Sequence, residues 1–175
     1  EDFFADGMGE AVKYGMIYSK ELFDLIKTGK IKENLETIIE TCVDIKRQVV
    51  ENDEFDLGLR MILNFGHTLG HSIEKYYNYN GISHGKAVAT GMYLMTVAAE
   101  RKGIISEPIS GALKECLIVN NLPFGTEVPE AELFKGAVND KKRFSDNINL
   151  IICKEIGKAE IVQMPVSDFE KLICT

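Results

Sequence analysis

From Gly9 to about Arg143, apolar residues recur at three- and four-residue intervals, the spacing of amphipathic helices. "GEAVKYGMIYSKELFDLIKTGK" (9–30) predicts a first helix that stops near Gly29, and "NLETIIETCVDIKRQVVEND" (34–53) a second with a charged outer face. "LGLRMILNFGHTLGHSIEKYY" (57–77) predicts a third, closed by the turn cluster "NYNG". "HGKAVATGMYLMTVAAERKG" (84–103) is apolar nearly all round, which predicts a buried helix. Two shorter helices follow in "EPISGALKECLIVNN" and "PEAELFKGAVNDKKR", each with a proline near its start. The pattern then changes. "NINLIICKEIGKAEIVQMP" has two β-branched apolar runs about a short "KEIGK" connection, a predicted hairpin. "VSDFEKLIC" predicts a closing helix capped by Ser167 or Asp168. With no internal repeat or linker, the expectation is one mainly α, multi-helical domain over residues 1–175 with a small β-hairpin near its C-terminus.

Composition narrows the classes. The chain has 175 residues, 45% of them hydrophobic, enough for a packed core. Its formal net charge of -7 lacks the broad positive field of a nucleic-acid binder. No apolar run reaches the roughly 18 residues of a membrane span, and "EDFFADGMGEAVKYG" lacks the build of a signal peptide. Neither nucleic acid nor membrane is an expected partner, and the expected compartment is the cytoplasm. Cys42, Cys116, Cys153 and Cys174 have neither zinc-knuckle nor disulfide-framework spacing, and free, mostly buried thiols are expected.

The chemistry concentrates in the third predicted helix. On a continuous helix, Arg60, Asn64, His67 and His71 follow steps of four, three and four and share one face. Gly66 and Gly70 sit beside the histidines and each costs about 1 kcal/mol against alanine in a helix interior. The expected return is close approach of a ligand or another backbone. The only three histidines of the chain are His67, His71 and His84. Neutral imidazole is a common zinc ligand, and a catalytic zinc typically takes three protein ligands and keeps one position open. Spacing does not choose which histidines would bind, nor which carboxylate would join them. "HTLGH" lacks the glutamate of a metalloprotease helix.

Two other stretches carry polarity. Glu10 and Lys13 stand one turn apart in "GMGEAVKYG", which reads either as a surface ion pair or as part of a site. Gly7 and Gly9 do not make a dinucleotide fingerprint, because Val12 holds the third glycine position and no strand precedes. "NDKKRFSDN" groups Lys141, Lys142 and Arg143, which suits either a solvated loop or a clamp for a phosphate or carboxylate.

Taken together, "GEAVKYG", "RMILNFGHTLGH", "HGKAVATGM" and "NDKKR" resemble the C-terminal domain of the 3-dehydroquinate synthase family, in the family's order and over nearly the whole chain. The "LNFGHTxGH…HG" combination is the specific part. The resemblance implies a helical domain that binds metal and substrate. It also implies an N-terminal domain, absent from this chain, that holds most of the NAD. Carried over by position, it implies Glu10, His67 and His84 as ligands of Zn²⁺ or Co²⁺, and makes His71 a non-ligand. His71 and Asn64 would lie by the substrate phosphate, Arg60 and Lys46 would hold the substrate carboxylate, Lys13 would meet its hydroxyls, and Lys142, favoured over Lys141, would contact substrate. The implied substrate is a phosphorylated keto acid, 3-deoxy-arabino-heptulosonate 7-phosphate, converted to 3-dehydroquinate and phosphate in the shikimate pathway to aromatic amino acids. The chain alone is expected to bind Zn²⁺ weakly or not at all and to turn over nothing. The family's frequent dimers make a homodimer an expectation. Lys86 after "HG", Asp56, and Ser145 and Asp146 depart from the family's usual residues. The rival readings are a related sugar phosphate cyclase that makes an aminocyclitol precursor, a metal-dependent alcohol dehydrogenase of the glycerol dehydrogenase kind, and a metal-binding helical module without catalysis.

Overall fold

The computed structural model describes residues 2–53, 58–138 and 146–174. Helices α1 (Asp2–Ile17), α2 (Lys20–Lys27) and α3 (Leu35–Asn52) come first, with a 3-10 turn at Lys32–Asn34. A 3-10 segment at Leu59–Asn64 leads to α4 (His67–Tyr76), α5 (His84–Arg101), α6 (Ser110–Val119) and α7 (Glu130–Val138). Strands β1 (Asn147–Glu155) and β2 (Lys158–Pro165) pair antiparallel, and α8 (Val166–Ile173) closes the chain. The expected helical domain with a C-terminal hairpin is what the residues build.

Helix α5 lies at the centre and packs against α1, α4, α6, α8 and β1. Its composition allows this. Ala87, Val88, Ala89, Met92 and Ala99 are fully buried, and small side chains let neighbours approach on several sides. Around it close Phe23, Phe65 and Phe169, each at most 1% exposed. The hairpin covers this core with one strand. Ile148, Leu150, Ile152 and Cys153 of β1 are buried while most of β2 faces out. Its tip is tied to α1, because the Gly157 N–H donates to the Met16 carbonyl at 2.9 Å. All four cysteines are free. Cys116 and Cys153 are buried, and burial pushes the Cys116 thiol up to about 12.

Three boundaries differ from the sequence pattern. The first predicted helix is two, because Ser19 takes an extended conformation and its hydroxyl accepts from the Leu22 N–H at 3.2 Å, an N-cap that restarts the chain as α2. The third is also broken. Phe65 is extended and Gly66 is left-handed (φ 79°), so α4 starts only at His67. At the C-terminus neither Ser167 nor Asp168 caps α8. The Val166 N–H donates to the Asp146 carbonyl at 2.9 Å, the helix starts directly after Pro165, and Asp168 lies in its first turn paired with Lys171.

Helix α6 is capped from a distance. Glu100 of α5 accepts the N–H groups of Ile109 and Ser110 at 2.6 and 2.7 Å and the Ser110 hydroxyl at 2.5 Å. One carboxylate thus satisfies orphan donors at a helix start and complements its dipole. Glu100→Ala is expected to lower the unfolding free energy by about 2 kcal/mol, read as a shift in urea midpoint, with Glu100→Gln losing about half as much.

Candidate metal centre

Three separate helices deliver three donor groups to one place. Glu10 comes from the middle of α1, and His67 and His84 are the first residues of α4 and α5. Glu10 Oε1 lies 3.7 Å from His67 Nε2 and 3.8 Å from His84 Nε2. The three donor atoms all fall within 4.8 Å of one another. Zinc donors at 2.0–2.2 Å from a shared tetrahedral centre stand roughly 3.3–3.6 Å apart, so these atoms are within small side-chain shifts of a ligand shell. The donor set, two imidazoles and one carboxylate, suits zinc and leaves a fourth position for water or substrate.

Local structure explains why each donor points inward. His67 is 13% exposed, and its Nδ1 lies 3.1 Å from the Phe65 carbonyl. With Nδ1 donating there, the Nε2 lone pair is left facing Glu10. Burial, aided by the Lys13 charge, lowers the His67 pKa to about 4, so the ring is neutral at neutral pH, the form that can bind a metal. Glu10 divides its two oxygens. Oε2 accepts from Lys13 Nζ at 2.6 Å, and Oε1 is buried with no hydrogen-bond partner. A carboxylate oxygen left without a donor in such a place costs free energy unless a cation meets it, and a metal between Glu10, His67 and His84 would meet it. The Lys13 side chain is only 4% exposed, so the Glu10–Lys13 pair is not a surface ion pair. Burial lowers the Lys13 pKa, opposed by Glu10 and abetted by the charge of Lys46 on α3.

His84 is the most open donor, its side chain 43% exposed. Two residues hold it that sequence reasoning passed over. Ser83, its N-cap, makes no side-chain cap bond. Asp6 of α1 supplies the cap instead, accepting the Gly85 N–H at 2.5 Å. Asp6 and Glu10 are four apart on α1, so one face of that helix both caps α5 and supplies the carboxylate donor. Glu74 of α4 stands 3.1 Å from His84 Nδ1. The signal for Glu74 was present in sequence, seven residues after His67 and three after His71 on one helical stripe.

The other proposed residues sort differently. His71 lies on α4 one turn after His67, exposed, with ring centroids 5.5 Å from His67 and 6.1 Å from His84. Its ring is thus beside the cluster, and its nearest donor group is the one it forms with Glu74 and His84. Arg60 and Asn64 are exposed on the 3-10 segment. The single helical face expected for Arg60, Asn64, His67 and His71 does not exist, because the break at Phe65–Gly66 separates the first pair from the second. The Arg60 backbone is set instead by Asp53, whose carboxylate accepts the N–H groups of Gly58 and Arg60. Lys46 is exposed on α3. Lys141, Lys142 and Asp56 lie outside the described residues.

Of the two close approaches expected beside Gly66 and Gly70, a ligand or another backbone, the structure shows the second. A Cβ on Gly66 would lie 2.6 Å from the Val88 carbonyl, and one on Gly70 would lie 3.2 Å from the Ala87 carbonyl. What approaches there is the backbone of α5.

The sequence profile described as 3-dehydroquinate synthase C-terminal matches residues 7–143. The chain is 44% identical over 174 residues to the 3-dehydroquinate synthase of Clostridium beijerinckii, and 45% identical over 175 residues to that of Clostridium perfringens. Each alignment covers 97% of this chain and 50% of the relative, so the chain spans about half the length of the curated relatives it matches. Among solved structures, the fold is similar to 2-epi-5-epi-valiolone synthase from Streptomyces hygroscopicus, determined with NAD⁺ and Zn²⁺ bound (TM-score 0.82, 21% identity, 97% of this chain and 49% of that one). It is also similar to 2-deoxy-scyllo-inosose synthase, determined with carbaglucose-6-phosphate, NAD⁺ and Co²⁺ (TM-score 0.71, 22% identity, 98% of this chain and 51% of that one). No helix among the described residues is long and apolar enough to cross a membrane. With a family match over most of its length and donor groups gathered from three helices, the chain belongs to the 3-dehydroquinate synthase family, as its C-terminal domain.

Proposed function

We propose that this chain is the metal- and substrate-binding half of a 3-dehydroquinate synthase, which converts 3-deoxy-arabino-heptulosonate 7-phosphate to 3-dehydroquinate and phosphate. The observation that carries the reading is the buried, unpartnered Glu10 Oε1 facing His67 Nε2 and His84 Nε2 in a chain of this family. Glu10, His67 and His84 would hold Zn²⁺ or Co²⁺, and a metal held there supplies Lewis acidity toward a substrate oxygen. NAD, held mainly by an N-terminal half, supplies the hydride acceptor.

The chain's own residues do the binding and positioning. Lys13 is fixed by Glu10 with its Nζ one carboxylate away from the metal position, which suits a contact to a substrate hydroxyl. Arg60 and Lys46 are the cations for the substrate carboxylate, and guanidinium geometry suits that group. His71, beside the donors but outside their set, and Asn64 serve the phosphate. Lys142 completes the substrate contacts. Held so, the substrate keeps one orientation through several steps.

The test joins this chain to its N-terminal half and measures phosphate release with NAD and Zn²⁺. The expected result is release from the keto-acid phosphate and none from the 175-residue chain alone. Turnover only of a sugar phosphate lacking the carboxylate would instead favour a related sugar phosphate cyclase that makes an aminocyclitol precursor. Turnover of glycerol without phosphate release would favour the dehydrogenase.

A further inference from the structure

The position of Glu74 is not accounted for by ligand or substrate roles. It sits on α4, two turns beyond His67, with its side chain 12% exposed. Its Oε1 lies 3.1 Å from His84 Nδ1, while the opposite nitrogen of the same ring, Nε2, lies 3.8 Å from Glu10 Oε1. The His84 imidazole is therefore held between two carboxylates from two different helices, one at each nitrogen.

We propose that Glu74 is a positioning residue for the metal centre, holding His84 in the tautomer and ring orientation that present Nε2 to the metal. The inference rests on the ligand reading above. The physical reason is the asymmetry of imidazole. A neutral ring carries one proton on two nitrogens, and only the bare nitrogen binds a metal. His67 has the Phe65 carbonyl to accept a hydrogen bond from its Nδ1–H. His84 is the first residue of α5 and 43% exposed, so burial does not choose for it. Glu74 accepts only at Nδ1, which places the proton there and the lone pair at Nε2. His71 Nδ1 or Nε2 lies in the same donor group with Glu74 and His84, so the carboxylate faces two imidazoles. Its hydrogen bond goes to His84.

The test uses ¹⁵N-labelled chain and two variants, Glu74→Ala and Glu74→Gln. Imidazole nitrogen shifts in the metal-free chain are expected to report His84 protonated at Nδ1 in the parent and in Glu74→Gln, whose amide oxygen still accepts. Glu74→Ala is expected to move His84 toward the Nε2-protonated form. Zn²⁺ titration of the chain joined to its N-terminal half, against a competing chelator, is expected to show about a 10–100-fold loss of affinity in Glu74→Ala and a smaller loss in Glu74→Gln. A merely structural role would not move the tautomer while leaving the rest of the spectrum in place. His67→Ala and Glu10→Gln separate the two readings. If neither lowers Zn²⁺ affinity, the ligand assignment fails whatever Glu74 does. If both lower it and Glu74→Ala keeps the parent's tautomer and affinity, the positioning inference fails. Binding of a second equivalent of Zn²⁺ that Glu74→Ala removes would make Glu74 a ligand of another site and overturn the inference as well.

Discussion

His67→Ala is expected to lower the Zn²⁺ affinity of the chain joined to its N-terminal half by roughly 100-fold or more, beyond the 10–100-fold range of outer-shell losses, while His71→Ala stays within a few-fold of the parent. The two histidines are one helical turn apart and share a residue type, so the difference lies in their surroundings. His67 is nearly buried, held neutral by burial and the Lys13 charge, and oriented by the Phe65 carbonyl so that Nε2 faces Glu10. His71 is exposed and not in the donor group that contains Glu10. Removing His67 leaves Glu10 Oε1 and His84 with an incomplete shell. Removing His71 leaves all three donors in place. Chelator competition on both variants checks this, with circular dichroism to confirm the fold. Equal losses in the two would sink the assignment of ligands.

The second large effect concerns backbone contact. A Cβ on Gly85 would lie 2.0 Å from the Asp6 carbonyl oxygen, one on Gly9 would lie 2.3 Å from the Gly85 carbonyl oxygen, and one on Gly91 would lie 2.1 Å from the Gly66 carbonyl oxygen. These obstacles are main chain and cannot rotate away. Gly85→Ala and Gly91→Ala are therefore expected to destabilise by about 3 kcal/mol, the upper part of the usual overpacking range, and to separate α5 from α1 or α4. Gly7 supplies the contrast. It lies within α1, and a Cβ there meets nothing within 4 Å. Gly7→Ala is expected to stabilise by about 0.5–1 kcal/mol. Denaturant midpoints would show opposite signs for the two kinds of substitution. The same contacts bear on the metal. Glu10 follows Gly9, His67 follows Gly66, and His84 precedes Gly85. Each donor is thus adjacent to a point where two backbones touch, so a shift of helix axes opens the donor triangle directly. Gly85→Ala is expected to lose metal affinity together with stability, whereas Gly7→Ala keeps it.

Helices with long periodic runs were readable from the chain because their burial is local and repetitive. The α3 and α5 segments and the hairpin about "KEIGK" match their predicted places. What failed were interruptions that depend on single residues. Ser19 can stand in a helix or cap one, and only the fold of α2 back onto α1 settles which. Gly66 can sit in a helix at some cost or adopt a left-handed turn, and the closeness of α5 decides for the turn. With that turn, the polar stripe from Arg60 to His71 dissolved as a single face. His67 and His71 stayed together because they follow the break.

By itself the sequence determined the chemical inventory of this protein. It supplied three histidines close together, a carboxylate beside a lysine, small residues along α5, and enough periodic apolar surface to bury α5. Spacing carried no information on which carboxylate meets which histidine, because Glu10 and His67 are brought together by helix crossing and not by helical period. Tertiary structure decided that. The crossings of α1 and α4 over α5, drawn close at Gly9, Gly85, Gly66 and Gly91, place Glu10 Oε1 between two Nε2 atoms and leave it without a hydrogen-bond donor. They also enlist Asp6 and Glu74 to hold His84, two roles that depend on contacts between helices and so leave no mark in local periodicity.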